Sequence, residues 1–422
     1  MPTTPLDLGK LVSPYDPETF LRDYWEQKPL VVARGLPDHY GALLSSADVD
    51  EVIAFTRPKF EDPREFSTER VRESSYVKGW PVDTPIAKSN PWASVSDVQS
   101  QYARGKTVVV MAMQERWRPI AALCRSLEAV FYCPVHANMY LTPEGAQGFD
   151  THFDTHEVFV LQLEGVKHWR VYGSPRRLPL VDEHLNAPKE ELGQPTEVRL
   201  EPGDLLYLPR GFVHEAFTSE CASLHLTVGI NVHRWVDLLH EAVAELAARD
   251  VRFRGSIPTE TLRGSPAASC AELFRELAAT VAADARFERA VNSLSHQFLA
   301  ALKPVPGGAF ARRRDEPEIR AETILERPPD RLCRVWSDGR WAEIVFPGGR
   351  VGGPAKIAPA LHFIAGAVRF RAGSLPGELG SEGKLVLARR LVRERLLNVV
   401  DETTDGAPPA QLPSQEARLA ES

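Results

Sequence analysis

The sequence predicts a mixed α and β protein: a double-stranded barrel of short strands at the N-terminal end, a helical middle, and a small C-terminal unit of hairpin and helices. Three observations carry this. From Pro29 to about Asn231 short apolar runs alternate with Pro/Gly/Asp turns, the rhythm of a barrel or sandwich. After His233 apolar residues recur at spacings of four and three instead, through Leu239, Val243 and Leu246 and again through Leu273, Leu277 and Val281 in the Ala-rich run from Cys270 to Leu302. Near Leu332 strand character returns. Arg334-Val335-Trp336 and the run Trp341 to Phe346 flank Ser337-Asp338-Gly339-Arg340, an Asp-Gly hairpin signal, and two helices are expected around Ile357 to Ala367 and Ser381 to Val399.

In chain order, Pro17 to Trp25 reads as a helix, with Phe20, Leu21 and Tyr24 at helical spacing. Pro29 to Ala33, Thr107 to Met111, Val158 to Leu163 and His168 to Tyr172 are β-branched and apolar, hence strands. Glu201 to Asp204 reads as a turn, Leu205 to Leu208 as a short buried strand, Pro209-Arg210-Gly211 as a second turn and Phe212-Val213-His214 as the next strand. Charges and prolines from Ala311 to Arg331 read as a linker, and the tail from Asp401, rich in Pro, Ala, Thr and Glu, as disordered. The expected organisation is a barrel over 1–234, a helical region over 235–325, a winged-helix-like unit over 326–400 and a tail over 401–422.

At 422 residues the chain exceeds one ordinary domain, and 43% hydrophobic with 25% charged residues is the composition of a soluble globular protein. A net charge of −7 argues against broad attraction to nucleic acid or acidic membrane. The start, Met1 to Asp7, has neither a basic end nor an apolar core, so no secretory signal is expected, and no apolar run approaches the roughly 20 residues that span a bilayer. The five cysteines are scattered, with no Cys-x-x-Cys, which points to reduced thiols in a cytoplasmic protein and away from a structural zinc site.

His152-Phe153-Asp154 followed by His214 is the densest chemical signal. Two imidazoles and one carboxylate in this pattern hold a mononuclear iron(II) on one face of an octahedron and leave three positions for co-substrates. At the entry to the Val158 strand, residues two apart face the same side, so His152 and Asp154 meet one metal while Phe153 faces away. Surface residues at a strand end would explain the His-x-Asp alone. They would not explain the turn, strand, turn and histidine that end at His214.

Asn138 to Pro143, His152 to Asp154, Glu157 to Gly165 and Lys167 to Arg170 together resemble the Jumonji-C/cupin-type ribosomal oxygenases, as do Phe20 to Leu30 and Leu208 to His214. The likeness covers about the first 235 residues well and the remainder weakly. It implies a 2-oxoglutarate- and iron(II)-dependent enzyme that hydroxylates protein side chains, with ribosomal proteins among the substrates, a helical dimerisation region and then a winged-helix domain. It assigns His152, Asp154 and His214 to iron and Lys167 to the distal carboxylate of 2-oxoglutarate. A buried carboxylate needs such a cation, and Lys167 shares strand parity with Trp169 and Val171; Arg170 is the reserve. Tyr140, Asn138 and Thr227 match positions lining the same pocket, where strand packing is the plain alternative. His156 is expected in a structural or substrate-pocket role, and His168 and His225 as strand residues with satisfied ring nitrogens. Departures lie at Gly229, where related chains carry a small polar residue, and in the loop Ser174 to Glu197 and the insert Arg57 to Ser100.

Two rival readings stand beside this one. The same oxidant could demethylate N-methyl-lysine or N-methyl-arginine, which calls for an aromatic pocket that Trp80, Trp92, Tyr102 and Tyr132 could supply. A non-enzymatic metal-binding cupin joined to a winged-helix nucleic-acid module would use Lys384, Arg389, Arg390, Arg393 and Arg395, a pattern that more often marks a solvated helix face.

Overall fold

The computed structural model describes residues 6–56, 95–148, 150–181, 183–185, 188–265, 267–304 and 318–400. The expected disordered tail, most of the Arg57 to Ser100 insert, and Trp80 and Trp92 lie outside them. The chain divides into two compact units, Met1–Val232 and His233–Ser422. No described helix is long and apolar enough to cross a membrane.

The first unit is built on nine strands: β1 Leu30–Val32, β2 Val108–Val110, β3 Val135–Thr142, β4 Glu157–Gly165, β5 Lys167–Val171, β6 Thr196–Leu200, β7 Leu205–Leu208, β8 His214–Phe217 and β9 Ser223–Ile230. Six pair antiparallel in the order β1-β7-β4-β9-β3-β2, and three in the order β6-β5-β8. Alternation along the strands divides the side chains between two faces. Met139, Phe159, Leu161, Tyr207, Leu226 and Val228 of the larger sheet pack against Leu11, Phe20, Val52, Ile120 and Leu127 of the flanking helices. Val158, Val160, Leu206 and Leu208 point the other way and meet Trp169, Val171, Val198 and Leu200 of the smaller sheet. The barrel interior lies between the sheets, apolar on this side and polar where β3, β5 and β9 face one another.

The flanking helices follow local chemistry. Pro17–Asp23 is capped by Asp16, whose carboxylate accepts the Thr19 N–H at 2.9 Å, with Pro17 pre-set for the first turn. Arg118–Phe131 buries Ile120, Leu123, Cys124 and Leu127, one stripe at helical spacing. One strand begins later than the sequence suggests. Phe212 still belongs to the turn, its N–H bonded to Pro209 O at 3.2 Å, and β8 starts at His214. Gly211 makes that turn, at φ +88 and with its backbone so close to Arg176 O that a Cβ would lie 2.2 Å from it.

The second unit contains helices Trp235–Arg249, Thr259–Leu262, Ala268–Asp284, Phe287–Ala301, Ala358–Gly366 and Ser381–Arg393. The Ala-rich run is therefore two helices, broken where Ala285 and Arg286 turn extended. β11 Arg334–Ser337, β12 Trp341–Phe346 and β13 Gly349–Pro354 form one small sheet, after β10 Ile324–Glu326. The Asp-Gly hairpin forms as read, with Gly339 at φ +84 and Asp338 Oδ1 accepting the N–H groups of Arg340 and Trp341 at 2.8 and 2.7 Å. β10 lies in the stretch expected to be a linker, because Leu325 is wholly buried and pairs with β14 Arg369–Arg371 and β15 Asn398–Val399. That pairing also ends the last helix at Arg393 rather than near Val399: Arg395 takes φ 68 and the chain returns as β15.

Candidate metal centre

His152 and His214 face each other across an antiparallel bridge, with each N–H bonded to the other residue's carbonyl at 3.1 and 2.7 Å. The bridge sets their rings 4.5 Å apart. Asp154 lies two residues on, separated from β4 by a bend at Thr155 and His156, and its carbonyl accepts the Gly211 N–H at 2.9 Å. One donor atom from each of His152, Asp154 and His214 falls within 4.8 Å of the others, and His214 Nε2 is 3.6 Å from Asp154 Oδ2. Each ring's Nδ1 donates to a backbone carbonyl, His152 to Asp150 O at 2.7 Å and His214 to Phe212 O at 3.0 Å. A carbonyl only accepts, so Nδ1 carries the proton and Nε2 carries the lone pair that a metal would take in both.

The electrostatics suit a cation. Burial pushes the Asp154 carboxyl up, but His156, His152, His214 and His136 together outweigh it and hold it below the ordinary value. Burial and the neighbouring His152 lower His214 to about 4, against the pull of Asp154, so its imidazole is neutral and able to bind metal. Two imidazoles with fixed tautomers and one ionised carboxylate are the donor set that divalent iron takes.

Lys167 opens β5 and is 1% exposed. Its parity is as expected, with Lys167, Trp169 and Val171 turned inward and His168 and Arg170 outward. The ammonium donates to Thr142 Oγ1 at 2.9 Å, and among the described residues no carboxylate pairs with it. Burial alone lowers it from 10.5 to about 7. A cation in this condition fits the far carboxylate of a dicarboxylate co-substrate. Arg170 is not a substitute, for it points to the outer face, onto Glu197 at 2.9 Å and Glu215 at 3.6 Å.

β3 presents Asn138, Tyr140 and Thr142 on one face, and β9 presents His225 and Thr227 beside them through the pairs Asn138↔Thr227 and Tyr140↔His225. The Tyr140 hydroxyl is raised to about 12, first by burial and then by Asp154, while hydrogen bonds from Thr227 and Asn138 oppose the rise. Asn138 Oδ1 accepts the Ala112 N–H at 3.1 Å. An aromatic chain joins the two halves of the site: His214 lies 5.8 Å from Trp169, Trp169 5.5 Å from His225, and His225 stacks on Tyr140 at 4.8 Å.

The other histidines sort differently. His168 Nε2 meets Ser219 Oγ at 3.0 Å, a satisfied ring on the outer face. His225 departs from expectation, since its buried Nδ1 has no hydrogen-bond partner among the described residues; burial first and then the Lys167 charge shift its titration well below the ordinary value. His156 sits beside the centre, with Nε2 4.0 Å from Asp154 Oδ1 and its ring edge-on to His136 at 4.8 Å. The place where a side chain at Gly229 would stand is filled by His136, whose Cε1 would lie 2.3 Å from a Cβ there. His136 and Thr142 escaped the sequence reading, although both share the β3 parity of Asn138 and Tyr140. Tyr102 packs into the helix-side core, away from the centre, and Tyr132 ends the helix Arg118–Phe131.

Residues 110–238 match the family model described as JmjC domain. The chain carries a JmjC domain, on a mixed α and β fold of the cupin kind. Over 264 residues, 60% of this chain and 42% of the other, it is 38% identical to Ribosomal oxygenase 1 of Gallus gallus. Over 259 residues, 59% of this chain and 39% of the other, it is 36% identical to the bifunctional lysine-specific demethylase and histidyl-hydroxylase NO66 of Aedes aegypti. It is thus a relative of the ribosomal oxygenases and of NO66, and the match spans less than two thirds of the length of those relatives. The X-ray structure of E. coli ycfD covers 92% of this chain and 98% of its own with a TM-score of 0.53 at 18% identity, a likeness of fold.

Proposed function

We propose that this chain is a 2-oxoglutarate- and O2-dependent iron(II) oxygenase that hydroxylates a side chain of a protein, with a ribosomal protein as the substrate class. The observation that carries the reading is a buried ammonium without a carboxylate partner among the described residues, in the same barrel interior as a His/Asp/His donor set. The names of the relatives, ribosomal oxygenase and histidyl-hydroxylase, agree with it.

In this reading His152, Asp154 and His214 hold iron(II), and Lys167 holds the distal carboxylate of 2-oxoglutarate, helped by Thr142. Tyr140, Asn138 and Thr227 line the co-substrate pocket. When bound, iron with 2-oxoglutarate and oxygen supplies the oxidant that places one oxygen on a substrate C–H. The protein's own part is to hold and orient. The Nδ1–H bonds to backbone carbonyls keep both imidazoles turned inward, and the Trp169, His225 and Val160 walls keep water from the co-substrate end.

The second unit is proposed as a helical dimerisation region over 235–325 and a winged-helix-like unit over 326–400. No residue of the helix Ala268–Asp284 is buried, and Trp235, Leu239, Phe274 and Phe287 are 76, 56, 74 and 58% exposed, an apolar surface that a second copy would cover. A nucleic-acid role draws less support. Arg389 and Arg390 of the last helix are paired with Glu382 and Glu394 at 3.1 and 2.8 Å.

Demethylation is the second reading, since the NO66 relative is named for both activities. Incubating iron-loaded protein with 2-oxoglutarate, oxygen and ribosomal proteins is expected to add one oxygen to a carbon of a single residue, and not with His214→Ala. Loss of methyl groups with release of formaldehyde would favour demethylation. Consumption of 2-oxoglutarate stimulated only by a small molecule would overturn the protein-substrate reading.

A further inference from the structure

Several residues next to the three proposed ligands in sequence are held from outside the centre, three of them by one loop directly and Thr151 through Glu215. Thr151 precedes His152, Phe153 separates His152 from Asp154, and Val213 and Glu215 flank His214. Phe153 and Val213 are buried with Tyr172 and Leu185, and Leu192 packs against them. The loop begins by pairing with the ligand segment itself, the Tyr172 N–H on Val213 O at 2.8 Å and the Val213 N–H on Gly173 O at 3.2 Å.

Glu215 adds a polar fastening. This carboxylate is 3% exposed and lies on the outer face of the smaller sheet, where Lys189 Nζ reaches both its oxygens at 2.7 Å, Tyr172 OH donates at 3.0 Å and Thr151 Oγ1 at 3.0 Å. A polar cavity of about 430 Å³ lies beside the Lys189–Glu215 pair, lined by Gln147, Asp150, Thr151, Leu185 and Leu192 as well as by these two residues. The described residues of the loop are held by the apolar cluster that includes Tyr172, Leu185 and Leu192, by the close approach of Arg176 O to Gly211, and by the Lys189–Glu215 pair.

We infer that the described residues between Tyr172 and Leu192 form an external buttress of the candidate metal centre, and that Lys189, acting through Glu215, is a positioning residue for His152 and His214. The inference rests on the metal-site reading proposed above. Its physical basis is that groups outside the ligand set fix ligand orientation, and that removing them lowers metal affinity by about 10–100-fold. Lys189 touches neither metal nor substrate. It ties a carboxylate that is covalently next to one ligand and hydrogen-bonded to the residue before another.

The test is titration of the full chain with cobalt(II), read as affinity and as the ligand-field spectrum. Lys189→Met, which keeps the length and removes the charge, is expected to bind cobalt at least tenfold more weakly and with an altered spectrum, whereas Lys189→Arg restores both. Leu185→Ala loosens the loop without stranding a charge and carries the same expectation, so the test survives if Lys189→Met fails to fold. A purely structural role would lower the thermal midpoint and leave the folded protein's affinity and spectrum unchanged. Parent-like cobalt affinity and spectrum in folded Lys189→Met, or in Leu185→Ala if the first does not fold, would overturn the inference. A parent chain that takes up no cobalt would instead sink the metal-site reading itself.

Discussion

Replacing Lys167 by Met separates two effects that the proposed co-substrate site joins in one side chain. Burial holds the ammonium down from 10.5 to about 7, so at pH 7 this lysine destabilises the ligand-free fold by about 4 kcal/mol relative to one with its ordinary value. Met fills similar space without a charge. The variant forgoes the hydrogen bond to Thr142, a loss of about 1 kcal/mol, and a net gain of roughly 3 kcal/mol in ligand-free stability is expected at pH 7. The sign with pH follows from linkage. Between pH 7 and 10.5 the unfolded chain holds a proton that the folded chain has released, so the parent gains stability as pH rises through that window and its deficit against Lys167→Met closes near pH 10.5. Binding of 2-oxoglutarate recharges the lysine, so the parent is expected to take up a proton on binding above pH 7 and to bind more weakly as pH rises further. Calorimetric unfolding at pH 7 and 10, with titration of 2-oxoglutarate into the metal-loaded protein, reads both. A Lys167→Met protein that is less stable than the parent at pH 7 and binds 2-oxoglutarate equally well would refute the reasoning.

Two further outcomes are expected. His152→Ala and His214→Ala should each abolish stoichiometric cobalt(II) binding while the protein keeps its far-UV circular dichroism; metal binding at parent affinity in either would remove that residue from the ligand set. Light scattering at micromolar concentration should give twice the 46.9 kDa chain mass, and Phe274→Glu, which places a charge on a 74% exposed ring, should halve it; a parent chain that is already monomeric would reject the dimer.

The candidate centre was legible in the sequence to the extent that its chemistry is local. His152 and Asp154 stand in one short motif, and Lys167 is set by strand parity, its period of two carrying from sequence to barrel face. Asn138, Tyr140 and Thr227 were found through the resemblance, and the β3–β9 register explains why they stand together. The expectations that failed depended on distant partners. Ile324–Glu326 reads as a linker because its strand identity comes from pairing with residues 369–371 and 398–399, and the same pairing shortens the last helix. His225 reads as a satisfied strand histidine because nothing local reveals that its Nδ1 faces a closed interior.

The sequence by itself determined the candidate donor set and the face on which Lys167 lies, because residue type and two-residue alternation are properties of the chain. Tertiary structure alone decided that Lys167 meets a hydroxyl and no carboxylate among the described residues, that His136 occupies the space above Gly229, and that Glu215 collects Thr151, Tyr172 and Lys189. Each of these depends on which sheet closes over which. The charge state and orientation of a buried group are fixed by the neighbours that replace its water, and those neighbours come from far along the chain.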